Sequence, residues 1–278
     1  MGMNEDILHL GLIEDEAISL DSSALTLAAL DHPHIDLEPL VELLSAITER
    51  VADLGSDART NLARAKILAR VLGAEFGFEG DRTTYEDPAN ADLIQVLERR
   101  RGLPVSLSIL YVAAARRLNW PADALNTPGH VLVRIGADTA PVLIDPFNGG
   151  RIVEPEHLAL LLRQHLGPDA SPSADYLAPM SNRSVLARLM LNEASRAEQA
   201  GHLDRALTLF ERMTIIAPAN GHAWWERARL QLTAGNVGAA RESLGAMLEV
   251  TRDPERRDQI AAAMIALAGS GQDNRSPE

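Results

Sequence analysis

Residues 99–150 carry a helix start, a histidine and an aspartate in fixed order, and this order restricts the fold more than any other part of the chain. The stretch reads RRRGLPVSLSILYVAAARRLNWP, then NTPGHVLVRIG, then PVLIDPFNGG. Pro104 suits the first helical position, and Leu107, Leu110, Tyr111, Ala114 and Leu118 recur at helical spacing until Asn119 and Pro121 stop the helix. Val131, Leu132, Val133 and Ile135 form one short apolar run, and Val142, Leu143 and Ile144 form another. Paired antiparallel, the two runs bring His130, at the start of the first, beside Asp145, at the end of the second.

A carboxylate beside an imidazole fixes its tautomer and orientation. In the first turn of the upstream helix, unpaired N–H groups and the helix dipole favour negative charge, which is where a cysteine nucleophile gains from its position. Helix start, histidine and aspartate thus follow the order of a cysteine acyl-transfer triad. The chain contains no cysteine. Only Ser106 and Ser108 offer a hydroxyl there; Ser106 is the first choice, and Ser108 stays open because one residue of slip turns a helical side chain by about 100°. Taken singly, His130 reads as a hydrogen-bonded structural histidine and Asp145, before Pro146, as a turn residue.

Around this centre the sequence predicts helices. Leu40, Val41, Leu44, Ile47, Val51 and Leu54 mark one, and a second is expected over residues 57–75, ending in GAEFGFEG. Asp87 and Pro88 are expected to open a further helix whose stripe of Leu93, Ile94, Val96 and Leu97 ends in Arg99, Arg100 and Arg101. Those arginines complement the helix dipole, with an anionic ligand as the weaker alternative. His32 and His34 flank Pro33 in an extended dipeptide and read as solvated loop histidines rather than metal ligands. A last helix of this part is expected over residues 154–166.

The pieces GFEGDRTTYEDPANADLIQVLERRRGLPVSLSILY, NTPGHVLVRIG and LIDPFNGGRIV, in this order and spacing, resemble the transglutaminase-like superfamily, in particular its bacterial SirB-type branch. The resemblance implies a papain-like α+β core, with a Cys-His-Asp site in active members. His130 and Asp145 match the histidine and aspartate motifs. The cysteine slot falls between Pro104 and Ser108, and no thiol fills it.

The last hundred residues contain an internal repeat. Ala194, Gly201, Ala206, Phe210 and Met213 recur as Ala228, Gly235, Ala240, Leu244 and Met247, each displaced by 34 residues. Period and residue types resemble the tetratricopeptide repeat. Trp224 and Trp225 either mark a partner groove or, for at least one of them, fill the core.

The fold expected is therefore α+β and mostly helical: a papain/transglutaminase-like core with a small antiparallel sheet, then a tetratricopeptide-like region. Residues 1–170 are assigned to the first domain with its helical cover, 171–182 to a linker, 183–270 to the repeats and 271–278 to a disordered tail. With 26 basic and 39 acidic residues the net charge is −13, which disfavours nucleic acid and anionic membrane as partners. No apolar run approaches the roughly 20 residues needed to span a bilayer, and the acidic first twenty residues do not resemble a signal peptide, so the chain is expected in the cytoplasm. Neither cofactor nor metal is expected. The function expected is a non-catalytic scaffold binding a protein or peptide through its repeats; the alternative is a serine-dependent amidase, peptidase or acyltransferase using Ser106, His130 and Asp145.

Overall fold

The computed structural model describes residues 3–137, 140–167 and 173–270. They divide into two compact units: one is Glu14–Leu189, and the other joins the described parts of Met1–Ile13 and Met190–Glu278. The expected tail over 271–278 lies outside the described residues.

The first unit is built around one helix. After α1 (Met3–Leu12), which belongs to the second unit, come α2 (Leu20–Ala29), α3 (Glu38–Gly55), α4 (Asn61–Leu68), β1 (Glu79–Gly80), α5 (Leu93–Arg99), β2 (Arg101–Gly102) and α6 (Pro104–Arg117). Every side chain of α6 from Pro104 to Ala115 is buried, as expected of a helix apolar all round. Helices α2, α3, α4 and α5 pack on it, as do the strands Ala122–Leu125 and Leu132–Ile135 of the sheet. Each fully buried Leu or Ile there contributes about 2 kcal/mol by leaving water.

The sheet has four antiparallel strands in chain order: β3 (Ala122–Leu125), β4 (Leu132–Ile135), β5 (Val142–Asp145) and β6 (Arg151–Ile152). The pairing of β4 with β5 is the one expected, with Val133 opposite Ile144 and Ile135 opposite Val142. β3 and β6 went unpredicted. Helix α7 (Pro155–Leu166) follows, close to its expected span.

Several local expectations are corrected. The helix predicted over 57–75 starts at Asn61, where Thr60 caps it by accepting from Ala63 N at 3.2 Å, and its last turns, Ala69–Glu75, widen into a π-helix. Asp87 caps only a short 3-10 turn; α5 is capped by Asp92, which accepts from Ile94 N and Gln95 N. The same Asp92 holds His32, Nε2 to Oδ2 2.6 Å, so this histidine is tied down rather than merely solvated. Residues 173–181, placed in a linker, dock on β3: Met180 N donates to Ala124 O at 2.8 Å and Asn126 N to Ala178 O at 3.2 Å.

The second unit contains α8 (Asn182–Gln199) from Met190 onward, α9 (Leu203–Ile216), α10 (Gly221–Thr233), α11 (Val237–Val250) and α12 (Pro254–Ser270). The repeat is visible in the packing: Ala194 with Ala228, Ala206 with Ala240, and Met213 with Met247 are all buried. Gly201 and Gly235 turn the chain at φ +80° and +76°, conformations that a side chain disfavours. Trp224 and Trp225 are both partly buried against the cluster of Ala228, Ala240, Leu244, Met247 and Ile260. Helix α1, assigned from sequence to the first domain, packs instead on α9, where a Cβ on Gly11 would lie 2.5 Å from Ile215 O.

Candidate functional site

His130 closes the turn before β4, its N–H donating to Thr127 O at 3.1 Å. Gly129 makes this turn possible, with φ +68° and a Cβ position that would collide with the His165 ring. Arg188 holds the turn from α8, donating to His130 O at 3.0 Å, to Thr127 O at 3.4 Å and to the Asn126 side chain.

Asp145 ends β5 and caps the 3-10 turn Pro146–Asn148. Its Oδ1 lies 2.9 Å from His130 Nε2 and accepts from Phe147 N at 3.0 Å, while Oδ2 accepts from Asn148 Nδ2 at 2.5 Å. Both residues are buried. Burial opposes the carboxylate charge, but the bonds from His130 and Asn148 and the charge of His130 outweigh it and hold the Asp145 pKa below its ordinary value. An ionised carboxylate only accepts, so Nε2 carries the proton of the neutral ring and Nδ1 is its lone-pair nitrogen. Nδ1 has no hydrogen-bond partner among the described residues, and it is not among the buried polar atoms left unsatisfied.

Ser106 has a different setting. Fully buried in the first turn of α6, its Oγ accepts from Leu103 N at 2.9 Å and donates to Asn90 O at 2.7 Å. Gly102 leaves the room, since a Cβ there would sit 2.8 Å from that oxygen. Ser108, also fully buried, points its hydroxyl at Val131 O, 3.4 Å away. The fold thus brings His130 and Asp145 together as expected, and among the described residues no hydrogen bond joins either serine to His130.

Other residues around the pair were not picked out by sequence. The Phe147 ring meets the His130 ring edge-on at 6.0 Å, and Arg82 lies over Phe147 while donating to Asn148 Oδ1. Tyr111 is fully buried with its hydroxyl unpaired, and burial together with the Asp145 charge pushes its pKa up. Gly150, at φ +78°, passes so near that a Cβ would lie 2.8 Å from Tyr111 Cε1. Only Asn148 had a signal, as the polar end of the DPFN turn; Arg188 lies too far along the chain for any spacing to tie it to His130. Asp145 and Asn148 also line a cavity of about 170 Å³ walled by His157, Leu161 and Gln164 of α7.

The Arg99–Arg101 cluster is absorbed by the fold. Arg99 pairs with Asp81 at 2.9 Å, Arg101 with Glu79 at 2.7 Å, and Arg100, at φ +59°, lies over the Phe78 ring at 4.9 Å. Chemically, the site offers an imidazole fixed at one nitrogen and open at the other, able to take up a proton or bond a ligand. Among the described residues no hydroxyl is hydrogen-bonded to it.

Comparison with known proteins follows the same division. A family model described as the transglutaminase-like superfamily matches residues 38–191, and one for the tetratricopeptide repeat matches residues 194–265. A UPF0162 protein of Xylella fastidiosa is 31% identical over 262 residues, covering 93% of each chain. A UPF0162 protein of Pseudomonas aeruginosa is 30% identical over 262 residues, 93% of this chain and 94% of that one. Human F-box only protein 21 is 32% identical over 139 residues, 47% of this chain but 21% of its own length.

Proposed function

Since this chain belongs to the transglutaminase-like superfamily, we propose that it is a member without acyl-transfer activity, a scaffold that engages a protein or peptide through its tetratricopeptide repeats. The observation that carries this reading is the engagement of Ser106 in the start of α6, in a chain with no cysteine. A thiol with a pKa near 8.5 is readily ionised by an imidazole and a helix dipole before substrate arrives. A serine hydroxyl must lose its proton to the base during attack, which demands direct contact with that base and a matched oxyanion hole. The repeats supply the binding side, because stacked helix pairs present extended surfaces suited to protein partners. Cytoplasmic residence is part of the same proposal, and fractionation of cells expressing the tagged chain checks it.

One observation favours a second reading, a serine-dependent hydrolase or acyltransferase: the open Nδ1 of His130 is the nitrogen a nucleophile would need. One experiment separates the two. The full chain is treated with a fluorophosphonate probe and assayed for a p-nitrophenyl acetate burst. A scaffold gives neither labelling nor burst, in the native chain or in His130→Ala. Labelling on Ser106 that disappears in Ser106→Ala and in His130→Ala would establish the enzyme instead.

A further inference from the structure

A large cleft of the first unit is lined by neither His130 nor Asp145, and its charge runs against that of the chain. It encloses about 1030 Å³ between the start of α4, Ala140 and Pro141 before β5, the β6 edge and the start of α7. Among the described residues its charged lining is Arg59, Arg64, Arg134 and one acid, Glu154. A chain carrying thirteen more acidic than basic groups has therefore gathered a local cationic surplus here.

That surplus is only partly neutralised within the fold. Arg134 shares its single carboxylate with another guanidinium: Asp123 bonds Arg134 through Oδ2 at 2.7 Å and Arg116 through Oδ1 at 3.2 Å. Arg64 has no salt bridge among the described residues. Among the described residues its one hydrogen bond is a long 3.5 Å contact to the Asn61 amide oxygen, its Nε is sealed without a hydrogen-bond partner, and its guanidinium lies over the Trp120 ring, 5.6 Å from the centroid. Arg59 reaches only Asp57, at 4.0 Å, with both side chains largely in solvent. A guanidinium away from bulk water without a matching anion is costly unless something else supplies one.

The rest of the lining selects the kind of anion. Leu62, Val142, Leu143, Ile152 and Leu158 give the cleft an aliphatic lining among those charges, with Leu143 directly across from Arg134 on the neighbouring strand. Its volume stands at the upper limit of small-molecule pockets. Beside it runs β6, a two-residue strand at the edge of the sheet. We propose that this cleft binds an extended acidic peptide, its carboxylates on Arg59, Arg64 and Arg134 and its aliphatic side chains on the apolar lining between them. The site is independent of the repeats and of whether His130 is catalytic.

The test uses the full chain as bait for a phage-displayed random dodecamer library, followed by fluorescence anisotropy with the selected peptides. Selected sequences are expected to carry Asp or Glu beside aliphatic residues. Their affinity is expected to fall at least tenfold in Arg64→Gln and between 50 and 500 mM NaCl, and to be unchanged in Trp225→Ala, a repeat-unit variant. Arg59→Gln, at a largely exposed side chain, provides a variant that leaves the core untouched and is expected to weaken binding in the same sense. Selection without acidic enrichment, or retention of affinity in both arginine variants, would overturn the proposal. So would loss of binding in Trp225→Ala, or self-association of the chain that Arg64→Gln abolishes, which would make a second copy the occupant.

Discussion

His130 Nε2 and Asp145 Oδ1 stand 2.9 Å apart because β4 and β5 run antiparallel and put the start of one beside the end of the other. Asp145 also accepts from Phe147 N, Asn148 N and Asn148 Nδ2. Asp145→Ala leaves these donors and the ring nitrogen without an acceptor and is expected to lower stability by about 3 kcal/mol. Asp145→Asn keeps one acceptor oxygen and is expected to cost about 1 kcal/mol. Urea denaturation at pH 7 measures both, and equal costs would contradict this account of the carboxylate.

Acid should destabilise the first unit through two carboxylates. Asp81 is held at a pKa of about 2 by the Thr84 hydroxyl and amide and then the Thr83 amide, and Asp145 is also lowered. A depressed folded-state pKa means that the folded protein binds the proton less readily than the unfolded chain. The stabilisation is therefore complete above the ordinary carboxylate pKa near 4 and is lost as pH falls toward 2. Urea midpoints measured from pH 5 to pH 2.5 should fall steadily, and Asp81→Asn should flatten that limb. A midpoint that rises on acidification would reject the assignment.

Ser106→Cys makes a single-thiol reporter in a chain that has none. The Ser106 side chain is fully buried, so the new thiol is expected to ignore Ellman's reagent in the native state and to react stoichiometrically in urea. Fast native reaction would mean that this position opens to solvent. The companion Ser106→Ala is expected to cost about 1 to 2 kcal/mol, as loss of a helix cap and a buried hydrogen bond does.

Two adjacent glycines separate backbone strain from crowding. Gly149 and Gly150 both have positive φ, +66° and +78°, but a Cβ on Gly149 meets nothing within 4 Å, whereas one on Gly150 lies 2.8 Å from Ala69 and Tyr111. Gly149→Ala is expected to cost about 1 kcal/mol. Gly150→Ala should cost at least twice as much, because overpacking adds to the strain. Thermal unfolding ranks them, and the reverse order would refute the packing described around Tyr111.

What sequence made legible was whatever a local pattern encodes. The periodicity of α3 and α6, the β-branched runs of β4 and β5, and the 34-residue recurrence with its small residues all appear where expected. β3 did not, because Ala-Asp-Ala-Leu contains no β-branched or aromatic residue and is a strand only through its pairing with β4. The cap of α8 was equally hidden: Asp15 accepts from Asn182 N at 2.8 Å and Arg183 N at 2.9 Å, across most of the chain. At the site, two short apolar runs and their antiparallel pairing disclosed His130 and Asp145. The orientation of Ser106 depends on the carbonyl of Asn90, which no helical spacing announces.

The docking of α1 on α9 makes the repeat unit discontinuous in sequence, with Glu14–Leu189 interposed between its two segments. On the ribosome, this sets an order of events. The interposed unit is complete once Leu189 has emerged, while α1 must wait, with its apolar face uncovered, until α9 has been synthesised. At 5–20 residues per second that wait lasts on the order of ten seconds or more, the interval in which a nascent-chain chaperone has most to shield.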